Sequence, residues 1–327
     1  MKKILALLCA LCMLFALTAC GQSAAPAASA PAADKTFTVG VCQLVQHPAL
    51  DAATQGFVET LKAKLGDKVT ITVLNGAGEQ ASCATIASQF VSDGVDLIMA
   101  NATPALIACS SATSTIPVLG TSITEYGAAF ELDKWEGRSI ALNVSGTSDL
   151  APLDGQAEII QELFPDAKTV GILFCSAEAN SKFQVDTITP ILEGMGFKVV
   201  PHAFADSNDV AAVTAAACGE SDVLYIPTDN TAASCAEAIN NVAQPAGIPI
   251  VCGEENLCAG CGVATLSISY YDLGCATGEM AAKILSEGAD VSTMAIQYAP
   301  QFTKEFNADL CAALGITVPD GYTAIGG

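Results

Sequence analysis

The chain has 327 residues, of which 51% are hydrophobic and only 14% charged, and its formal net charge is −21 at pH 7. Such acidity repels phosphate backbones and anionic headgroups, which excludes nucleic-acid binding and attachment to a membrane through a basic patch. Abundant apolar residues with few charges also exclude a disordered chain.

Lys2 and Lys3 precede an apolar run from Ile4 to Ala16, and Leu17-Thr18-Ala19-Cys20 follows. A basic start, a short apolar core and small residues at the end describe a secretory leader over residues 1–19. The core falls short of the roughly 20 apolar residues that a spanning helix needs. Leu-Thr-Ala-Cys resembles the lipobox of bacterial lipoproteins, which makes Cys20 the lipidated first residue of a protein held outside the cytoplasm on the cell membrane. Residues 20–35 continue mostly as Ala, Ser and Pro and read as a flexible tether. The folded part begins near Thr36 and is long enough for two domains.

Strand-like and helix-like segments then alternate. Residues 37–41 read as a strand and 50–65 as a helix, with Phe57, Val58, Leu61 and Leu65 on one side. Strand 69–74, helix 81–92 and buried strand 97–100 follow. Thr103-Pro104 opens a helix, Thr as N-cap and Pro in the first turn, and 117–120 is a fourth strand. The rhythm restarts with helix 154–164, stopped by Pro165. After it come strand 169–174, helix 179–195, strand 198–201, helix 210–218, strand 223–226, helix 231–242 and strand 248–252. Parallel strands need helical crossovers, so two βα series imply two parallel-sheet lobes. Residues 262–268 and helix 270–285 return to the first lobe, and 295–319 cross once more. The expected lobes are 36–145 with 269–300, and 146–268 with 301–327.

No enzyme signature stands out. His47 and His202 are the only histidines, and neither HExxH nor GxSxG occurs. Gly76-Ala77-Gly78 lacks a third glycine and reads as a turn. Of 14 cysteines, Cys9 and Cys12 leave with the leader and Cys20 carries lipid; eleven remain. Their spacing forms no disulfide framework, and Cys42, Cys109, Cys235 and Cys275 sit where small buried hydrophobes fit. Cys258-Ala259-Gly260-Cys261 is a lone CxxC without a second pair, a local disulfide or two loop thiols rather than a metal site. No metal and no cofactor are implied, and a surface thiol-redox protein is the competing reading that this motif would support.

Specific strings follow the strands. Gln46-His47-Pro48-Ala49-Leu50-Asp51-Ala52 follows the first and Ala102-Thr103-Pro104-Ala105 the third. Ser145-Gly146-Thr147-Ser148-Asp149 lies between the lobes. Glu178-Ala179-Asn180-Ser181, Pro227-Thr228-Asp229-Asn230 and Gly253-Glu254-Glu255 follow strands of the second lobe, and Tyr270-Tyr271-Asp272-Leu273-Gly274 begins the returning helix. In this order they resemble the ABC-transporter substrate-binding lipoproteins of the tryptophan/tyrosine-type uptake family, which have the periplasmic-binding-protein type I fold. The resemblance implies two Rossmann-like lobes joined by a three-crossover hinge. It also implies a receptor without catalytic activity that closes over an amino-acid ligand, often aromatic, and serves an ABC permease with its ATPase. A monomer is expected. A sugar or nucleoside receptor on the same fold is the alternative. Ser269 stands where relatives commonly have Asp, and Cys258 and Cys261 are no part of the family pattern.

In open parallel sheets ligands sit beyond the carboxyl ends of strands, where helix N-termini offer N–H groups and positive potential. Thr103 is placed either to cap its helix or to bind a carboxylate, with Thr121 and Ser122 as helpers. Asp229 and Glu254 end strands of the opposite lobe, where either could meet an α-ammonium; helix capping is the other reading of Asp229. Glu178, Asn180 and Ser181 form a third polar edge, while Ser148 and Asp149 shape the hinge. Tyr270 and His47, then Phe183, are candidates for an aromatic wall. The resemblance adds Gln46 and Asn230 to this set. Trp135 reads as part of a peripheral loop.

Overall fold

The computed structural model describes residues 35–132, 135, 140 and 142–326, so the leader, Cys20 and nearly all of the tether lie outside the described residues. The chain first lays down β1 (Phe37–Gln43), β2 (Val69–Asn75), β3 (Leu97–Asn101), β4 (Val118–Ile123) and β5 (Val144–Ser148) as one parallel sheet. It then crosses and builds a second parallel sheet from β6 (Thr169–Cys175), β7 (Lys198–Phe204), β8 (Val223–Ile226), β9 (Ile250–Cys252) and β10 (Ala264–Ser267). The helix Tyr270–Ala282 brings it back, and β11 (Gln297–Tyr298) adds to β5 at the edge of the first sheet. A third crossing delivers β12 (Thr303–Phe306) antiparallel to β10, with β13 (Thr323–Ala324) beside it. The strand orders are β11-β5-β4-β3-β1-β2 and β13-β12-β10-β9-β8-β6-β7. These are the two lobes and three crossings of the type I periplasmic-binding-protein fold.

The first sheet is covered on both faces, which is why β3 reads as an unbroken apolar run. Leu97 and Met99 pack with Phe57, Leu61 and Met280 on one face, while Ile98 and Ala100 pack with Phe90, Leu106 and Tyr126 on the other. The returning helix lies directly on the helix Pro48–Leu65. Glycine makes that approach possible: a Cβ on Gly56 would stand 2.1 Å from the carbonyl oxygen of Tyr271, and one on Gly274 2.0 Å from that of Ala53.

Several elements depart from expectation. β5 continues to Ser148, so the first crossing follows that residue rather than residue 145. The expected helix 231–242 is two helices, Asn230–Ser234 and Ala236–Ala246, because Cys235 at φ −114°, ψ 14° leaves helical geometry. Helix 103–112 starts at Thr103 itself, so Ala102 holds the N-cap position. Cys258 and Cys261 lie on the helix Glu255–Cys261 rather than in a loop. The eleven described cysteines are free thiols, most of them buried. Cys42 packs against Cys83 and Cys109 in the first lobe, and Cys252 against Cys258 and Cys261 in the second. Trp135 is half-buried against the first core rather than peripheral, its ring 5.9 Å from that of Tyr126.

Candidate functional site

The loops after β1 and β3 meet those after β6 and β8. The His47 ring stands beside Asn230 and Glu178 of the opposite lobe. A cavity of about 280 Å³ opens between them, walled by Val45, Gly78 and Pro104 on one side and Glu178, Asn230 and Thr231 on the other.

On the first lobe, Ala102 adopts φ 89°, ψ 154° and Ser122 φ 56°. Side-chain-bearing residues pay of order 1–3 kcal/mol for such conformations, which persist where the surroundings hold them. Both corners lie at strand ends. The first carries Thr103 into the opening turn of its helix, where N–H groups have no partner in the helical ladder and the macrodipole is positive. The hydroxyls of Thr103 and Ser122 are buried and have no hydrogen-bond partner. Thr121 is engaged elsewhere, its Oγ1 3.2 Å from that of Thr147, which lies 2.9 Å from that of Thr277. His47 occupies the N-cap position of its helix without capping it, and both ring nitrogens are buried and unpartnered. Burial holds its pKa below the usual histidine value, against the opposing pull of Asn230, Glu178 and Asp51.

On the second lobe the acids are built into the backbone. Glu178 Oε1 accepts from the N–H and hydroxyl of Thr231, each at 2.8 Å. Its Oε2 accepts from the Asn230 N–H at 3.1 Å, the Asn230 amide at 2.6 Å and the Asn180 amide at 3.0 Å. Asp229 Oδ2 accepts from Cys175 N–H at 2.6 Å and the Ser181 hydroxyl at 2.7 Å, while Oδ1 caps its helix through Ala232 N–H at 2.8 Å. Burial, then the neighbouring Glu178, pushes the Asp229 carboxyl up. Glu254 caps the next helix through the N–H groups of Asn256 at 2.7 Å and Leu257 at 2.5 Å, and burial raises its pKa to about 7. Asn180 Oδ1 remains buried and unpartnered.

At the crossings, Ser148 donates to the Thr124 carbonyl at 2.9 Å, and Tyr270 donates its phenol to Asp149 Oδ2 at 2.9 Å. Asp149 Oδ1 is unpartnered, and burial pushes this carboxyl up to about 6. The Tyr270 hydroxyl also lies near Glu254 and Thr228.

The structure therefore groups His47 with Glu178 and Asn230, Asp229 with Ser181, and Asp149 with Tyr270. Gln46 is exposed and stands apart from the buried set. Phe183 is half-buried and shares a second cavity with Trp135 across the lobes. Sequence reading missed Gln184, whose amide pairs with both the N–H and the carbonyl of Thr228 at 3.0 Å. It follows Asn180 by one helical turn, which was the available signal. It also missed Gln43 and Asn101, the last residues of β1 and β3. Ser269 caps the returning helix by accepting from Asp272 N–H at 3.1 Å and is exposed, so Ser for Asp there exchanges one helix cap for another.

A profile of the family described as ABC transporter substrate binding protein matches residues 38–324. The chain belongs to that family. This substrate-binding protein is a transport receptor rather than an enzyme, and it works outside the cytoplasm. It is 35% identical over 324 residues to a tyrosine-binding protein of Clostridioides difficile (strain R20291), a match that covers 96% of this chain and 92% of the relative. Its fold matches a Streptococcus pneumonia ABC domain solved in complex with L-Trp at TM-score 0.83 and 32% identity, over 88% of this chain and 97% of that one. A ligand-free, open substrate binding protein with adhesive properties from Clostridium difficile matches at TM-score 0.67 and 36% identity, over 89% and 99% of the two chains.

Proposed function

We propose that this protein captures a free aromatic amino acid, tryptophan- or tyrosine-like, between its lobes. It hands this ligand to an ABC permease with its ATPase while held at the membrane surface by lipid on Cys20. The observation that carries the reading is the set of buried, unpartnered polar atoms at the strand ends: hydroxyls beside a helix N-terminus on one lobe, and an unpartnered carboxylate oxygen at the hinge. That set complements a zwitterion. The tyrosine-binding relative and the relative solved in complex with L-Trp support the aromatic class.

The α-carboxylate sits at the opening turn of the Thr103 helix, with the Thr103 and Ser122 hydroxyls as donors. The α-ammonium sits at Asp149 Oδ1, the acid oxygen with capacity to spare. Asp229, Glu178 and Glu254 already accept backbone N–H groups; they supply negative potential and hold the second-lobe wall formed by Asn180, Ser181 and Asn230. Lobe closure excludes water, and charged hydrogen bonds of this kind contribute about 1.5–3 kcal/mol each. Tyr270 backs the ammonium site through Asp149, and Gln46 stays on the rim.

A thermal-shift screen of amino acids, indoles, sugars and nucleosides tests the reading, because a ligand bound only by the native state raises apparent stability by mass action. L-tyrosine or L-tryptophan should raise Tm. A shift with sugars or nucleosides and none with amino acids rejects it. For the anchor, Cys20→Ala should release the protein from the membrane fraction of the producing cell, and retention there rejects lipidation at Cys20.

A further inference from the structure

Among the described residues, His47 is the one side chain with two buried polar atoms that make no hydrogen bond of normal geometry, although the Asn230 side chain lies close enough to interact with its ring. It stands at the meeting of the lobes, on the turn between β1 and the helix Pro48–Leu65, facing Asn230 and Glu178. Leaving a buried polar atom unpaired is costly, so a site with two such atoms is built for a partner that arrives with the ligand. Burial keeps the ring neutral. A neutral imidazole offers one donor and one acceptor, which suits an uncharged hydroxyl or ring N–H. The charged ends of an amino acid have other complements in this cleft, the Thr103 helix for the carboxylate and Asp149 for the ammonium. The nearby carboxylates Glu178 and Asp51 further disfavour a ligand carboxylate beside this ring.

We infer that His47 reads the polar atom at the far end of the ligand side chain, the phenol of tyrosine or the indole N–H of tryptophan, and thereby rejects phenylalanine. The inference rests on the aromatic-amino-acid reading above and names the atom by which that class is narrowed. A site built to pair an O–H or N–H rejects an analogue that lacks it, because its own polar atoms are then left without partners. At the usual cost of one unpaired buried polar atom, such a contact corresponds to a preference of about 10- to 100-fold.

Calorimetry of the full chain with L-tyrosine, L-tryptophan and L-phenylalanine is the test. Wild type should favour the first two over phenylalanine by at least about tenfold. His47→Phe keeps a planar ring of similar volume and removes both nitrogens. It should bring the three affinities together by weakening tyrosine and tryptophan while phenylalanine holds or gains. His47→Gln retains a donor and an acceptor and should keep part of the preference. A second readout is independent of any variant: the imidazole ¹⁵N signals of His47, to be told apart from those of His202, should move on adding L-tyrosine and stay when L-phenylalanine binds. A wild-type protein that binds phenylalanine as well as tyrosine, or a His47→Phe variant with the preference intact, overturns the inference and leaves the aromatic reading standing. If none of the three binds, the aromatic reading itself fails and takes the inference with it.

Discussion

The phenol of Tyr270 donates to Asp149 Oδ2 at 2.9 Å, and this bond ties the first chain crossing to the second. Asp149 follows β5 and Tyr270 opens the returning helix, so the contact sits where the chain passes between the lobes. The same bond opposes the upward push of burial on the Asp149 carboxyl. Tyr270→Phe should therefore move the Asp149 pKa further up, and the pH at which ligand affinity is half lost should rise with it. Calorimetric titration of affinity against pH reads this directly, and an unchanged midpoint rules out the coupling.

Asp149 itself sets the sign of that titration. Its ionised form attracts an ammonium, and its pKa is raised to about 6. Affinity for a zwitterionic ligand should be full above about pH 7 and fall by about tenfold per unit below the pKa. Asp149→Asn should lose at least about tenfold in affinity at neutral pH and flatten the dependence. A variant that binds as tightly as wild type would return the ammonium to Asp229 or Glu254.

Glu254 gives a stability prediction of opposite slope to a surface carboxylate. Its folded pKa, raised to about 7 by burial, lies above its unfolded value, so the native state holds the extra proton and loses stability as pH rises from the unfolded pKa through the folded one. Glu254→Gln cannot ionise. The Tm of the variant minus that of wild type, both without ligand, should grow between about pH 5 and pH 8. A difference that stays constant over the range contradicts a carboxyl with a raised pKa.

Asp229 is bound to the fold more tightly than a pure ligand contact would be. It accepts from Cys175 N–H, Ala232 N–H and the Ser181 hydroxyl. Asp229→Ala leaves buried donors without partners and removes a helix cap, and should cost about 2–3 kcal/mol in denaturant unfolding. Asp229→Asn keeps an acceptor at Oδ1 and should cost clearly less. Equal losses for the two variants would show that the cap bond is not what holds this corner.

The parts of the fold that were legible in the sequence are those buried by apolar side chains. β3 announced itself because both its faces are covered. β5, Val144-Ser145-Gly146-Thr147-Ser148, is equally buried and was not read as a strand. Its polar side chains are satisfied by distant partners: Ser145 donates to the Met294 carbonyl at 2.9 Å, and Thr147 lies against Thr121 and Thr277. No local pattern carries those pairings. β12 and β13 were hidden for another reason, being short, partly exposed strands at one end of the second sheet. In the cleft, the rule that strand ends line the ligand site brought out Asp229 and Glu254. Whether their oxygens point at a ligand or at backbone N–H groups depends on where the next helix starts, which only the folded chain decides. The same rule applied to Gln43 and Asn101 would have added both.

The thiol clusters around Cys42 and Cys252 have a consequence for how the molecule comes into being. Folded, they are sealed beneath helices, the Cys42 thiol pushed up by its neighbour Cys109 and by burial and the Cys252 thiol by burial and its neighbouring thiols, so that soluble oxidants find neither as a thiolate. Before the strands pair, these six sulfurs and those of the five other described cysteines are loose on one extended chain. Wrong bridges made in that interval would be locked in, whereas collapse ahead of oxidation shuts the reagent out for good. For aerobic production the decisive race is run between emergence and collapse, and reductant supplied afterwards comes too late to influence it.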